Sequence, residues 1–138
     1  MRRKLLLGIG LVLLAAVPVV AHHSFAAQYD RTKSINFKGK VTKVEWMNPH
    51  VYFYVDVDEG GKVTNYACEA GAPNSLYRQG WRKDALKTGD MVSVDGWRAK
   101  DGTNTVNAGN ITLPDGKKVF AGSPDDGGPG AGGARRNQ

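Results

Sequence analysis

From Ser34 to Phe120 apolar and polar residues alternate with a period of two, which predicts strands that turn one face to a core. Ile35, Phe37 and Val41 share one phase, and Val44 and Trp46 fall in the other. Such a phase change predicts a bulge or bend near Thr42 and Lys43 in a first strand. Val51, Phe53, Val55 and Val57 alternate with Tyr52, Tyr54 and Asp56 in a second strand. The turn Asp58-Glu59-Gly60-Gly61 then leads to a third over Lys62 to Ala70. Gly89 to Trp97 opens a fourth with Val92 and Val94 facing inward, and Val106 to Leu113 forms a fifth. Pro114 to Phe120 reads as a tight turn into a short last strand.

One segment breaks the alternation. In "APNSLYRQGW" Pro73 stands where a first helical turn accepts it, and Gly80 where a helix stops. Three strands, a short helix and then two strands is the order of an OB-fold, a small, partly open barrel. The expected fold class is therefore all-β with a small α contribution: an OB-fold-like barrel of five to six strands, with one short helix between strands three and four. The bend in strand one fits, because that strand must serve both halves of the barrel. Phe37, Val41, Val51, Phe53, Val55, Leu76, Val92, Val94, Ile111 and Leu113 are expected to fill the interior. A small sandwich of different connectivity is the competing arrangement.

The flanks differ in composition. Arg2, Arg3 and Lys4 precede an apolar run from Leu5 to Val20 that ends in Val19-Val20-Ala21, the form of a secretory signal peptide over residues 1–21. A membrane anchor is the other reading, but the run is short for a span of about 20 apolar residues and carries a proline. Cleavage after Ala21 makes the protein periplasmic or secreted, with no stable membrane anchor, and beginning at His22. Ser24-Phe25-Ala26 is a second acceptable cleavage tripeptide. Residues 22–34 are polar without a clear period and read as an N-terminal arm; residues 35–120 form the barrel domain. Residues 121–138, rich in Gly and Pro, read as a disordered tail.

Loss of the leader removes three basic residues and lowers the formal charge from +6 to +3, so the working protein is only mildly basic. No run of Lys or Arg makes a strong patch, and nucleic acid is not an expected partner. The single cysteine, Cys68, has no internal disulfide partner; it is a buried filler, a metal ligand or an intermolecular thiol. No Ser-centred nucleophile turn, paired helical acids or Gly-rich phosphate loop is present, so the chain is not expected to be an enzyme.

Two of the three histidines stand at the expected cleavage point. A terminal His22 offers a free amine and an imidazole on one residue, a chelating pair that suits copper. His23 is a poorer partner for the same ion, since adjacent side chains in an extended arm point apart. His50, in "EWMNPHVYFY", lies where the turn enters strand two, behind a Pro49 expected to hold the preceding backbone extended. An arm crossing that rim brings His22 and His50 together as a three-nitrogen brace, with His23 auxiliary and Met47 and Cys68 as soft reserves. The plainer reading leaves the arm histidines solvated and His50 as a turn residue.

Trp46, Tyr52, Tyr54, Trp81 and Trp97 include several residues whose phase places them outside the barrel, where aromatics mark a binding surface. Asn48, Asn65, Arg82 and Arg98 would add polar contacts. The alternative is that Trp46 and Trp97 cover the barrel ends or pack under the arm. Glu69, at a strand end, is read first as an ion-pair partner of Arg78 or Arg82 and second as a carboxylate that orients a ligand histidine.

"HHSFAAQYD", "GKVTKVEWMNPHVYFYVDV", "CEAGAPNSLYRQGW" and "GWRAKDGTNTVNAGNITLPDG" together resemble a family of exported bacterial proteins catalogued as domain of unknown function 6152. The resemblance spans about His22 to Gly122. It carries over at His22, His23, Ser24 and Phe25, at Asn48, Pro49 and His50, and at Cys68, Glu69, Gly71 and Pro73. Met47 stands where the family pattern leads one to expect a small polar residue such as Thr. The resemblance implies export and one small β-domain, and implies no activity. The architecture is also similar to periplasmic OB-fold proteins. The expectation is an exported binding protein that takes copper, or zinc, through His22 and His50. The rival is a metal-free interaction module holding a peptide, glycan or protein on an aromatic face; an oxidative copper enzyme is a third reading that requires an open coordination site.

Overall fold

The alternating segments form six strands in the computed structural model, which describes residues 25–122. They are β1 (Tyr29–Glu45), β2 (Tyr52–Asp58), β3 (Val63–Glu69), β4 (Met91–Ala99), β5 (Thr105–Thr112) and β6 (Lys118–Phe120). Two short helices accompany them, α1 (Phe25–Gln28) and α2 (Pro73–Arg78). The expected leader, His22, His23 and the tail beyond Gly122 lie outside the described residues. Among the described residues no helix is long and apolar enough to cross a membrane.

The strands run in the order β3-β2-β1-β4-β5-β6, and β3 also pairs with β5. That extra pairing is parallel, through Ala67, Cys68 and Glu69 on β3 and Thr105, Val106 and Asn107 on β5. It closes β1 to β5 into a ring. The other half of the same β5 edge, Asn110 to Thr112, receives β6. Helix α2 sits in the chain between β3 and β4, so the closed ring and helix placement agree with the OB-like barrel expected from the sequence, not with an open sandwich.

β1 makes the ring possible by serving two partners. Its Lys40–Glu45 half pairs with β2 and its Ser34–Lys40 half with β4. The register slips between Val41 and Lys43, where the apolar phase changes. Gly39 lies just before that bend, and a Cβ there would sit 2.3 Å from the Asp56 carbonyl oxygen. Only a residue without a side chain lets the two backbones come so close.

β1 begins at Tyr29, six residues before the expected domain boundary at Ile35. Tyr29 pairs with Ala99 and Ser34 with Trp97, so Asp30 to Lys33 bulge out between them. The Asp30 carboxylate closes this bulge by accepting from the Thr32 amide at 2.9 Å and its hydroxyl at 2.6 Å. A bulge of this size erases the alternation, which is why the segment reads as an arm without a period. The arm's last residues are thus part of the sheet.

The expected interior residues are buried, except that Leu113 is half-buried against the core. Trp81 and Leu86, from the segment after α2, complete it. Trp81 anchors the far end by donating its indole N–H to the Phe120 carbonyl at 3.0 Å. Removing a side chain such as Phe53 or Ile111 from water contributes about 2 kcal/mol, so this filling, more than the strand propensities, holds the ring shut.

Candidate functional site

Successive residues of a strand face opposite ways, so Cys68 and Glu69 at the end of β3 part company. Cys68 enters the barrel, fully buried, with its Sγ 3.9 Å from the Tyr66 carbonyl. Glu69 faces outward, beside Tyr52 on β2 and Asn107 on β5 in the cross-strand register. Asn107 in turn stands opposite Trp97 of β4, and Trp97 opposite Ser34 of β1. An outward carboxylate belongs in water, yet Glu69 keeps only 4% of its surface exposed.

Three side chains cover it. Tyr29, brought over the sheet by the bulge that follows it, donates its hydroxyl to Oε2 of Glu69. His50 places Nδ1 on Oε1. The Tyr52 hydroxyl approaches the same carboxylate, and burial, followed by the negative charge of Glu69, pushes the Tyr52 phenol well above its ordinary range. A buried charge of this kind persists only because its lone pairs are taken. Asn107, 5% exposed, borders the cluster with an Oδ1 that finds no partner among the described residues.

His50 is placed by the backbone around it. The Asn48–Pro49 peptide that precedes it is cis. The Val51 amide donates to Gly71 at 3.0 Å and the Ala70 amide to Val51 at 2.8 Å, which locks the start of β2 against the end of β3. The His50 side chain remains 26% exposed. The ring is therefore gripped at Nδ1 and partly open to solvent.

Glu69 pairs with His50, not with Arg78 or Arg82, which corrects the first reading of this residue. Arg82 instead donates to the Trp81 carbonyl at 2.7 Å and lies over Tyr77. The aromatic residues do not share one surface. Trp46 packs on Tyr77 of α2 with centroids 5.3 Å apart, while Trp97 meets Phe25 of α1 edge-on at 5.4 Å. Tyr54 donates to Glu45 at 2.9 Å. Met47 is exposed in the loop before His50. Sequence reasoning missed Tyr29 and Asn107; only the Tyr29 phenol, lone in a polar stretch, offered a signal.

Burial pushes the Cys68 thiol far above its ordinary range, so it stays protonated and out of reach. Native protein is expected to resist iodoacetamide at neutral pH and to be alkylated fully once unfolded in guanidinium. Mass spectrometry reads both states; rapid labelling of the folded chain would contradict the burial.

Among the described residues, no three His, Cys, Asp or Glu side chains gather as a metal-binding group. The model of a "family of unknown function (DUF6152)" matches residues 11–108. No curated protein matches. One similar solved structure, described as the crystal structure of a complex of TiaS with an isoleucine tRNA and ATP, is 28% identical, with a TM-score of 0.45. The match covers 61% of this chain and 18% of that one.

Proposed function

The chain belongs to the DUF6152 family, whose function is unknown, and for it we propose transition-metal binding, with copper as the favoured ion, through His50 and the residues that precede Phe25. The observation that carries this reading is the buried Glu69 carboxylate on Nδ1 of His50. A carboxylate in that position fixes the ring plane, sets the tautomer and makes Nε2 a better donor to a metal. The Tyr29 hydroxyl on the other oxygen holds the carboxylate still.

The remaining ligands are the amine and imidazole of His22, with His23 auxiliary, in a periplasmic or secreted protein cut after Ala21. Chain geometry supports the approach. The Phe25 ring lies 5.6 Å from the ring of Tyr29, whose hydroxyl is already on Glu69. Three residues of extended chain reach about 10 Å. Two imidazoles and an amine suit cupric ion in tetragonal geometry, and zinc less well.

Mature secreted protein is expected to begin at His22 by mass and to bind one cupric ion. His50→Ala is expected to weaken that binding at least tenfold, since it removes one of three strong nitrogen donors. Calorimetric titration of both proteins checks this. An N-terminus at Ala27, or equal affinities, ends the proposal.

A further inference from the structure

Helix α1 is a single turn, Phe25–Gln28, and none of its residues is buried. A helix this short does not hold itself in water, because nucleation costs more than one turn returns. It is held from outside. The Phe25 ring meets the Trp97 indole edge-on at 5.4 Å and the Tyr29 ring at 5.6 Å. The Arg31 guanidinium lies over the Phe25 ring, 4.1 Å from its centroid. Lys100 donates its amide to the Gln28 carbonyl at 2.9 Å and its ammonium to the Ala26 carbonyl. Those are two of the carbonyls that a helix end leaves without partners of its own. Trp97 is a rigid seat for this turn, since it lies so close on Gly109 that a Cβ there would come within 3.0 Å of Cζ3.

We infer that Phe25 is a positioning residue for the proposed copper site: its ring, latched on Trp97, fixes the point from which residues 22–24 set out. This rests on the copper reading and adds to it a side chain that touches no metal. Phe25 and Tyr29 stand four residues apart, so one turn places both on the same side. The Tyr29 hydroxyl is on Glu69, and Glu69 is on Nδ1 of His50. The bulge of Asp30 to Lys33 carries Arg31 back over Phe25. The turn that follows His22 and the carboxylate that orients His50 are thus tied together by Phe25 and Tyr29. A ligand held near its final place before the metal arrives has less freedom left to lose on binding. Without the latch only a fraction of molecules is competent, and the apparent affinity falls by that fraction.

The test compares the mature protein with its Phe25→Ala and Phe25→Leu variants, each shown by mass to begin at His22. In the metal-free proteins the Lys100 amide is expected to exchange about tenfold faster in the alanine variant, with melting unchanged, as local release requires. Cupric titration of the same samples is expected to give an affinity about tenfold weaker. The electron paramagnetic resonance spectrum at saturation is expected to match the parent's, because every ligand is still present. Phe25→Leu keeps bulk on Trp97 and is expected to fall between; should the alanine variant not fold, a loss of about threefold in the leucine variant decides. Lys100 exchange equal to the parent's overturns the inference, as does a changed spectrum. A parent that binds copper, beside variants that bind it as tightly, overturns the latch and leaves the copper reading standing. A parent that binds none ends the copper reading and leaves Phe25 no site to position.

Discussion

Glu69→Ala is expected to cost about 2–3 kcal/mol of stability and to weaken copper binding at least tenfold. The stability term follows from what the carboxylate holds. Its removal leaves the buried Tyr29 hydroxyl without its acceptor and His50 without its anchor, and opens space beneath both. Hydrogen bonds to a charged group contribute about 1.5–3 kcal/mol each, but the desolvation cost of the charge disappears with it, so the net loss is smaller than their sum. In a domain of this size such a loss lowers the melting temperature by roughly 10–20 °C. Glu69→Gln keeps the volume and one acceptor and is expected to fall between. Thermal denaturation followed by circular dichroism, with copper titration on the same samples, reads both effects. Unchanged melting in the alanine variant would mean that the cluster is a surface ornament.

Gly96→Ala is expected to disrupt the barrel severely. Its Cβ would stand 2.1 Å from the Asn107 carbonyl oxygen and 2.8 Å from Cγ1 of Val106. Neither obstacle is a flexible side-chain end: one is backbone of β5 and the other a fully buried valine. Relief requires β4 to move off β5 at the rung next to the bulge, where their register steps between Asp95 and Gly96. Overpacking of this severity costs about 3 kcal/mol or more. Ser93→Ala, on the same strand and half-buried, is the control, with an expected change within about 0.5 kcal/mol. Denaturant unfolding of the three proteins measures it; a Gly96→Ala variant as stable as the control would show that the sheet yields there.

These two residues also show where the sequence stops speaking. Alternation reports which way a side chain points relative to a core, and it locates β2, the β1 bend and nearly the whole interior. It does not report what covers the outer face. Glu69 has the phase of a solvated residue, and nothing local says that Tyr29, forty positions earlier, folds over it. The four-residue bulge that places Tyr29 removes the very period that would have extended β1. Sequence proximity favours Arg78 or Arg82 as the partner of Glu69, whereas the closure of β2 against β3 decides for His50. Gly96 and Gly109 read as ordinary strand glycines until pairing shows that one faces a carbonyl and the other an indole.

The double use of the β5 edge has a consequence for how the molecule behaves in a crowd. With β3 against Thr105–Asn107 and β6 against Asn110–Thr112, that flank offers a stranger's strand no continuous run of free amides and carbonyls. Among the described residues, the Val63–Tyr66 half of β3 and the outer side of the three-residue β6 stay open on this flank. Neither is long enough to template a ladder, so these two edges give copies of the protein little to zip together.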